Sequence, residues 1–348
     1  MKKFLIILFL STIIFGCGKK TSDKPSDLNA KLKVDTTTIK TSPIDNPNQK
    51  FNLAYKFEKG KSYQYRIASF SEDNLNIKAD TNVTKKIKQS VIYIFNVALQ
   101  NQDKDGVMEF SCEIKSILFN ASDGGQMMMY NSGDANDSSD LERYAQYASL
   151  INNPFSIRVG KAGGILEIFH IDKIVNKFIE LNKKAPSSVN QEQRDYLNNT
   201  VSQGSLKPLV TQLFRELPSN TIAKDSSWSF TQPPSPFLIF KLVNTNLFKV
   251  GGLEKYNGDT VAILDAGLKT IVTGDTKYEE RGAKFNFTKP VTSADGAIYF
   301  NVTKGCVQKS NIKTHIHIYF TMEAPSPKGI QKGNKTEDIT NTNIVELL

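Results

Sequence analysis

The sequence predicts an α+β protein that is mostly antiparallel β, a curved sheet or half-barrel with a central helical insert. Three observations predict it. Large apolar residues alternate with polar ones from Phe51 onward, and the alternation resumes beyond Pro218. Residues that tolerate positive φ, as in Asp103-Lys104-Asp105-Gly106, join neighbouring alternating runs. Between the two strand-rich stretches, about residues 139–217, apolar residues fall three and four apart, the spacing of amphipathic helices. Strands, then helices, then strands is an α+β order.

The chain begins MKKFLIILFLSTIIFGCGKK. Residues 1–16 read as a cleavable signal peptide, with Lys2 and Lys3 ahead of the apolar run 4–15 and the small Gly16 before Cys17. As a helix the run spans roughly 18 Å at about 1.5 Å per residue, short of the roughly 30 Å hydrocarbon core of a bilayer. Ile14-Phe15-Gly16-Cys17 resembles the lipobox of bacterial lipoproteins. The resemblance implies cleavage before Cys17, a diacylglyceryl group on its thiol and a further acyl chain, such as palmitate, on its amino group. Several acyl chains hold a protein on a bilayer far better than one. Gly18 stands where Asp would imply the inner membrane, and Lys19 and Lys20 stand where surface-displayed relatives carry acidic residues. The expectation is therefore an outer-membrane anchor on the periplasmic face, with the membrane as the first partner.

Residues 17–50 are rich in Lys, Thr, Ser, Asp, Asn and Pro and poor in large apolar groups, so they read as the acylated cysteine followed by a flexible tether. Its end-to-end reach is roughly 30 Å, from about 5 to 6 Å times the square root of its length. A single α+β body then fills 51–348. Alternation at Phe51, Leu53, Tyr55 and Phe57, a turn at Glu58-Lys59-Gly60-Lys61, and alternation at Tyr63, Tyr65 and Ile67 predict a hairpin. Residues 91–99 and Met108, Phe110, Cys112 and Ile114 form a second hairpin about Gly106, and 156–159 with 165–169 a third. Helical spacing follows at 140–148, behind a possible Asp172 cap at Ile171, Ile174, Val175, Phe178 and Ile179, and at Tyr196, Leu197 and Val201. The clearest stripe is Leu209, Val210, Leu213, Phe214 and Leu217, opened by Ser205 with Pro208 in its first turn, where a missing N–H costs little. Strands resume at 227–230, 237–243, 246–250, 260–264, 269–273, 285–287, 297–303, 312–322 and 339–347.

The stretch YKFEKGKSYQY at 55–65, the Gly106 hairpin, Asn153-Pro154-Phe155-Ser156-Ile157-Arg158-Val159 with Gly163-Gly164-Ile165-Leu166-Glu167-Ile168, and Ser226-Ser227-Trp228 resemble an uncharacterised exported family defined by a domain of unknown function. The layout is also broadly similar to lipoprotein-carrier folds, in which helices lid the apolar face of a curved antiparallel sheet. That is an architectural analogy, and fold alone does not imply function.

Few residues point to chemistry. Cys112 shares parity with Met108, Phe110 and Ile114, and Cys306 shares parity with Ile312, Ile316 and Ile318 if no bulge intervenes, so both are expected in the core, bridged or free. His315 and His317 fall on one face of a strand, a geometry able to hold a transition metal if a third ligand comes from a neighbouring strand. No Cys, Asp or Glu stands at a supporting local spacing, and the expectation is a solvated pair and no metal. His170, between a strand and a helix, reads as packing or capping. The acidic run at 134–142 lacks the glycine and the terminal glutamate of a calcium loop and reads as a helix N-terminal cap. There is no Gly-x-Ser-x-Gly, His-Glu-x-x-His, phosphate-binding glycine loop or Cys-x-x-Cys. The formal charge of +9 is spread through Lys-rich turns and not gathered into an Arg-rich, aromatic strip, which excludes nucleic acid as an expected partner. The expectation is a non-catalytic envelope scaffold or partner-binding protein without cofactor. The alternative is a carrier or sensor that holds an apolar or acyl ligand between sheet and helices.

Overall fold

The computed structural model describes residues 31–327 and 329–348; the expected signal peptide, Cys17 and the other residues up to 30 lie outside the described residues. Its strands are β1 (Ser42–Pro43), β2 (Ser62–Lys78), β3 (Val83–Gln102), β4 (Met108–Ser122), β5 (Met127–Asn131), β6 (Phe155–Val159), β7 (Ile165–Phe169) and β8 (Ser227–Thr231). They continue as β9 (Ser235–Phe237), β10 (Phe240–Tyr256), β11 (Asp259–Thr273), β12 (Lys277–Glu280), β13 (Ala283–Phe287), β14 (Val291–Asn301), β15 (Cys306–Ser326) and β16 (Gly329–Leu347). All belong to one open, curved antiparallel sheet with the main order β1-β10-β11-β14-β15-β16-β2-β3-β4-β6-β7. The predicted fold class is the observed one.

Two meanders make this sheet, β2-β3-β4-β6-β7 before the helical insert and β10-β11-β14-β15-β16 after it. They are sewn together by β16 against β2, from Leu347↔Tyr65 to Asn334↔Lys78. The helices are short: Ser138–Arg143, Ala145–Ala148, Asp172–Leu181 and Gln191–Asn199, then a π-helical turn Thr200–Leu206 running into Lys207–Val210. The Asp137 carboxylate accepts from the backbone N–H groups of Ser139 and Asp140, so the acidic run at 134–142 does cap a helix. Asp172 instead lies in the first turn of its helix, behind Ile171 at the N-cap position.

The face on which these helices pack, here the inner face, holds the main core. Ile174, Val175 and Ile179 meet Leu206, Leu209, Val210, Leu213 and Phe214 there, over Phe95, Val97, Phe110, Ile157 and Val159 of the sheet. The stripe from Leu209 to Leu217 is buried throughout, but only Leu209 and Val210 of it lie in a helix; the chain unwinds through a turn at 211–213 before Phe214. Phe214 stands among Tyr55, Phe57 and Phe110, with ring centroids 5.5, 5.8 and 5.0 Å away.

Residues 51–57 differ from the expected strand. Phe51 makes an isolated bridge to Ile222, and the following residues run extended beneath the sheet without a ladder. Leu53, Tyr55 and Phe57 are still buried, because extended backbone alternates its side chains whether or not it pairs. Tyr55 ties this segment to the end of the insert: its hydroxyl donates to the Arg215 carbonyl at 2.9 Å and accepts from the Arg215 N–H at 2.5 Å. Gly163, at φ +100°, lets the β6–β7 turn pass the same carbonyl, which would lie 2.2 Å from an added Cβ.

On the opposite, outer face, Ala68, Ile92, Ile94 and Ile344 form a smaller apolar cluster with Leu32. The described part of the expected tether touches this face and also extends the sheet at its β10 edge. Lys31 carbonyl accepts from Arg66 Nη1 at 2.8 Å, Asp35 Oδ2 lies 3.1 Å from the buried Lys309 ammonium, and β1 pairs with β10. Hydrogen bonds from Thr37, and then Lys309, hold the Asp35 carboxyl down at about 2. Leu32 and Val34 supply the apolar contact that the polar composition of this tract obscures.

Candidate functional site

Four rows of side chains cross the inner face, and their register shows where cover stops. Val250, Leu264, Ile298, Ser310, Val345, Ile67 and Tyr93 are cross-strand neighbours in the covered half, and Val250, Leu264, Ile298, Val345 and Ile67 are almost wholly buried. The next row, Gly296, Ile312, Asn343, Ser69 and Val91, begins to carry amides and hydroxyls, and Ser69 Oγ donates to Asn343 Oδ1 at 2.6 Å. Beyond it lie Ala294, Thr314, Asn341, Ser71 and Gln89, then Thr292, Ile316, Ile339, Asp73 and Ile87. Thr314, Asn341 and Ser71 are half-exposed. The strip is thus floored by short, uncharged hydrogen-bonding groups set among Ile side chains. It ends at an aromatic cluster in which Phe287 lies 4.7 Å from Phe320 and 6.0 Å from Phe240, ring centre to ring centre.

One charged group interrupts the strip. Asp73 is pushed up to about 6, first by burial and then by the like charge and hydrogen bond of Glu337, while Lys335 opposes the shift. Glu337 is itself ion-paired with Lys335 at 2.7 Å. Two carboxyls and an ammonium in this arrangement share charge. At the far end of β15 and β16, a cavity of about 440 Å³ opens between Lys78, Ala79, Thr321, Met322, Glu323, Lys332, Gly333 and Asn334. The charged Lys78, Glu323 and Lys332 at its walls make it a poor fit for an acyl chain.

The residues singled out from the sequence fall in different places. Cys112 and Cys306 are both buried and both free thiols. Burial raises Cys112, and burial pushes Cys306 up to about 11 against a hydrogen bond from Tyr65, so neither is a ready nucleophile. Cys306 reaches the core by a different route from the one expected: a bulge opposite Tyr299 and Phe300 changes its parity relative to Ile312, Ile316 and Ile318. His170, at φ +56°, meets Ser156 Oγ through Nδ1 at 3.1 Å in a packing role at the strand-to-helix corner. His315 and His317 face outward on β15, on the side away from the helices, and Asp338 of β16 stands between them. Asp338 was not found from the sequence because hairpin register, not local spacing, places it there. Among the described residues no helix is long and apolar enough to cross a membrane.

Residues 105–307 match the model described as "Family of unknown function (DUF6263)". No curated protein sequence matches. Of solved structures, lipovitellin, in a study of its lipid–protein interactions, is similar over 84% of this chain with a TM-score of 0.43 and 11% identity. This chain spans 25% of the length of lipovitellin. An outer membrane channel from Pseudomonas putida F1 is similar over 89% of this chain and 100% of its own, with a TM-score of 0.20 and 7% identity. The Pseudomonas aeruginosa protein OccK2 (OpdF), in complex with glucuronate, gives a TM-score of 0.15 over 84% of this chain and 98% of its own, at 7% identity. Likeness at these scores carries no argument about what this chain binds.

Proposed function

The chain belongs to the DUF6263 family of unknown function, and we propose that it is a non-catalytic lipoprotein of the bacterial envelope that binds a partner through the uncovered strip of its inner face. Lipidation at Cys17 would hold it on the outer membrane, at the periplasmic face; the order of Lys2, Lys3, apolar run, Gly16 and Cys17 supports this. The observation that carries the binding reading is the half-exposed row Thr314, Asn341 and Ser71, flanked by Ile316 and Ile339. Such a surface offers apolar contact together with uncharged donors and acceptors, the makeup of a protein interface core with few charges. The carrier alternative places an apolar ligand between sheet and helical insert. That space has less to offer it, because Phe214 and the side chains around it fill the gap.

Two experiments test the reading. Cys17→Ser should abolish labelling by a fatty-acid analogue and release the protein from the membrane fraction; unchanged labelling would remove the anchor. A photoreactive residue at Asn341 should give a defined adduct in intact cells, and one at Lys313 on the outer face should not. No adduct at Asn341, together with saturable binding of a fluorescent acyl probe by the purified protein, would favour the carrier.

A further inference from the structure

On the outer face, β15 and β16 gather three side chains of types that bind metals. His315 and His317, two apart on one strand, project to the same side, and Asp338 is the register partner of His317. His317 Nδ1 lies 2.8 Å from Asp338 Oδ1, and His315 Nε2 lies 3.5 Å from the same oxygen. The other ring nitrogen of His315 is 3.5 Å from Thr340 Oγ1, which orients the ring so that Nε2 meets the carboxylate. The three side chains are 43%, 40% and 40% exposed, open to an ion from solvent.

We propose that His315, His317 and Asp338 form a surface site for a divalent transition-metal ion of the Zn²⁺ class. Two imidazoles and one carboxylate are a nitrogen and oxygen set that Zn²⁺ takes readily, with the fourth position left to water or to a group from a partner. With bonds of about 2.0 to 2.1 Å, donor atoms of a tetrahedral site stand about 3.3 Å apart. The two nitrogen-to-oxygen separations bracket that value. In the observed rotamers the groups hydrogen-bond to one another, and among the described residues no group of three or more His, Cys, Asp or Glu side chains is arranged to hold a metal ion, so the site forms only on side-chain rotation. Ion binding requires the two rings to rotate about their side-chain bonds, with the ion taking the place of the hydrogen bond to Oδ1. Ligation of neutral His317 through Nδ1 puts its remaining proton on Nε2, so that no proton is lost from the ring. The backbone has no need to move, since the β15–β16 register runs unbroken from Lys309↔Glu346 to Ser326↔Gly329. Mg²⁺ is excluded by its demand for octahedral oxygen ligands. The site lies on the face opposite the proposed binding strip, so either proposal stands without the other.

Titration of the purified full chain with zinc chloride, followed by calorimetry, tests the site. The expected result is one equivalent bound, no heat with magnesium chloride, and an unfolding temperature raised by zinc. Asp338→Asn should weaken binding by at least about tenfold, and the double variant His315→Ala/His317→Ala should abolish both the binding and the zinc-dependent temperature shift while unfolding cooperatively. Wild type that binds zinc no more tightly than that double variant overturns the proposal.

Discussion

Two halves of one sheet face, built by the same strands, end in opposite states. In the covered half, Leu264, Ile298, Val345 and Ile67 belong to the same buried core as the helical insert and are at most 1% exposed. Two rows along the same strands, Ala294, Thr314, Asn341 and Ser71 keep the same alternation and the same register but are half-exposed. Backbone pairing is continuous through both, so hydrogen bonding does not distinguish them. The difference is what stands opposite. Phe214 and its neighbours remove the first set from water, a burial worth roughly 1.5 to 3 kcal/mol for each large side chain, whereas the second set stays wet and holds its polar groups in solvent. Stability resides in one half, and the other keeps its polar groups open to solvent.

Truncation of the covered half should produce the largest effect. Phe214→Ala removes a ring packed on Tyr55, Phe57 and Phe110 and should cost about 3 to 5 kcal/mol in urea unfolding, the transfer loss plus the cavity. A loss below about 1 kcal/mol would mean that the insert is a loose lid and would erase the contrast between the halves. Lys309→Ala carries the comparison through to the outer face. Its ammonium is 2% exposed and faces Asp35 at 3.1 Å and Glu346 at 4.0 Å. Because Asp35 can return to water, the expected cost is about 1 to 3 kcal/mol, below that of breaking a fully buried pair.

A smaller effect, with a distinctive sign, comes from Asp73 in the uncovered half. Its folded value of about 6 lies above the ordinary 3.8, so between these values the folded protein holds more protons than the unfolded chain. Stability should therefore fall as pH rises from about 4 to 6 and level off above, and Asp73→Asn should remove that slope. Asp35 acts in the opposite sense at lower pH: its contribution is present above about 4 and fades as pH falls toward 2. Urea midpoints across pH 3 to 7 for wild type and Asp73→Asn separate the two.

Much of the covered half was legible because its alternation is strongly apolar. The Gly106 hairpin, the β6–β7 hairpin, the Asp137 cap and the burial of the Leu209 to Leu217 stripe all follow from local spacing. The uncovered half was read too short. Residues 339–347, for instance, are one part of a 19-residue strand whose remainder, 329–338, carries no apolar alternation. Beyond the helical cover, Asn, Thr, Lys and Ser occupy both faces, and the period of two no longer appears in hydrophobicity. Residues 51–57 failed in the other direction, showing alternation without a partner strand. The β16–β2 seam, the bulge behind Cys306 and the approach of Asp338 to His317 depend on long-range register that no local window contains. Asn341 and Thr314 belong to the same category: nothing in their own neighbourhood marks them as a surface.

The most direct test of the division between the halves is the yield of the adduct from a photoreactive residue at Thr314, measured in intact cells in an otherwise wild-type chain and in an Asn341→Arg background. Asn341 is the cross-strand neighbour of Thr314, and an arginine there should project into the uncovered strip. The predicted result is at least about a tenfold fall in yield with unfolding free energy unchanged within about 0.5 kcal/mol, as for surface substitutions away from a core. An undiminished yield, or a loss of yield that merely follows a loss of stability, would contradict the account.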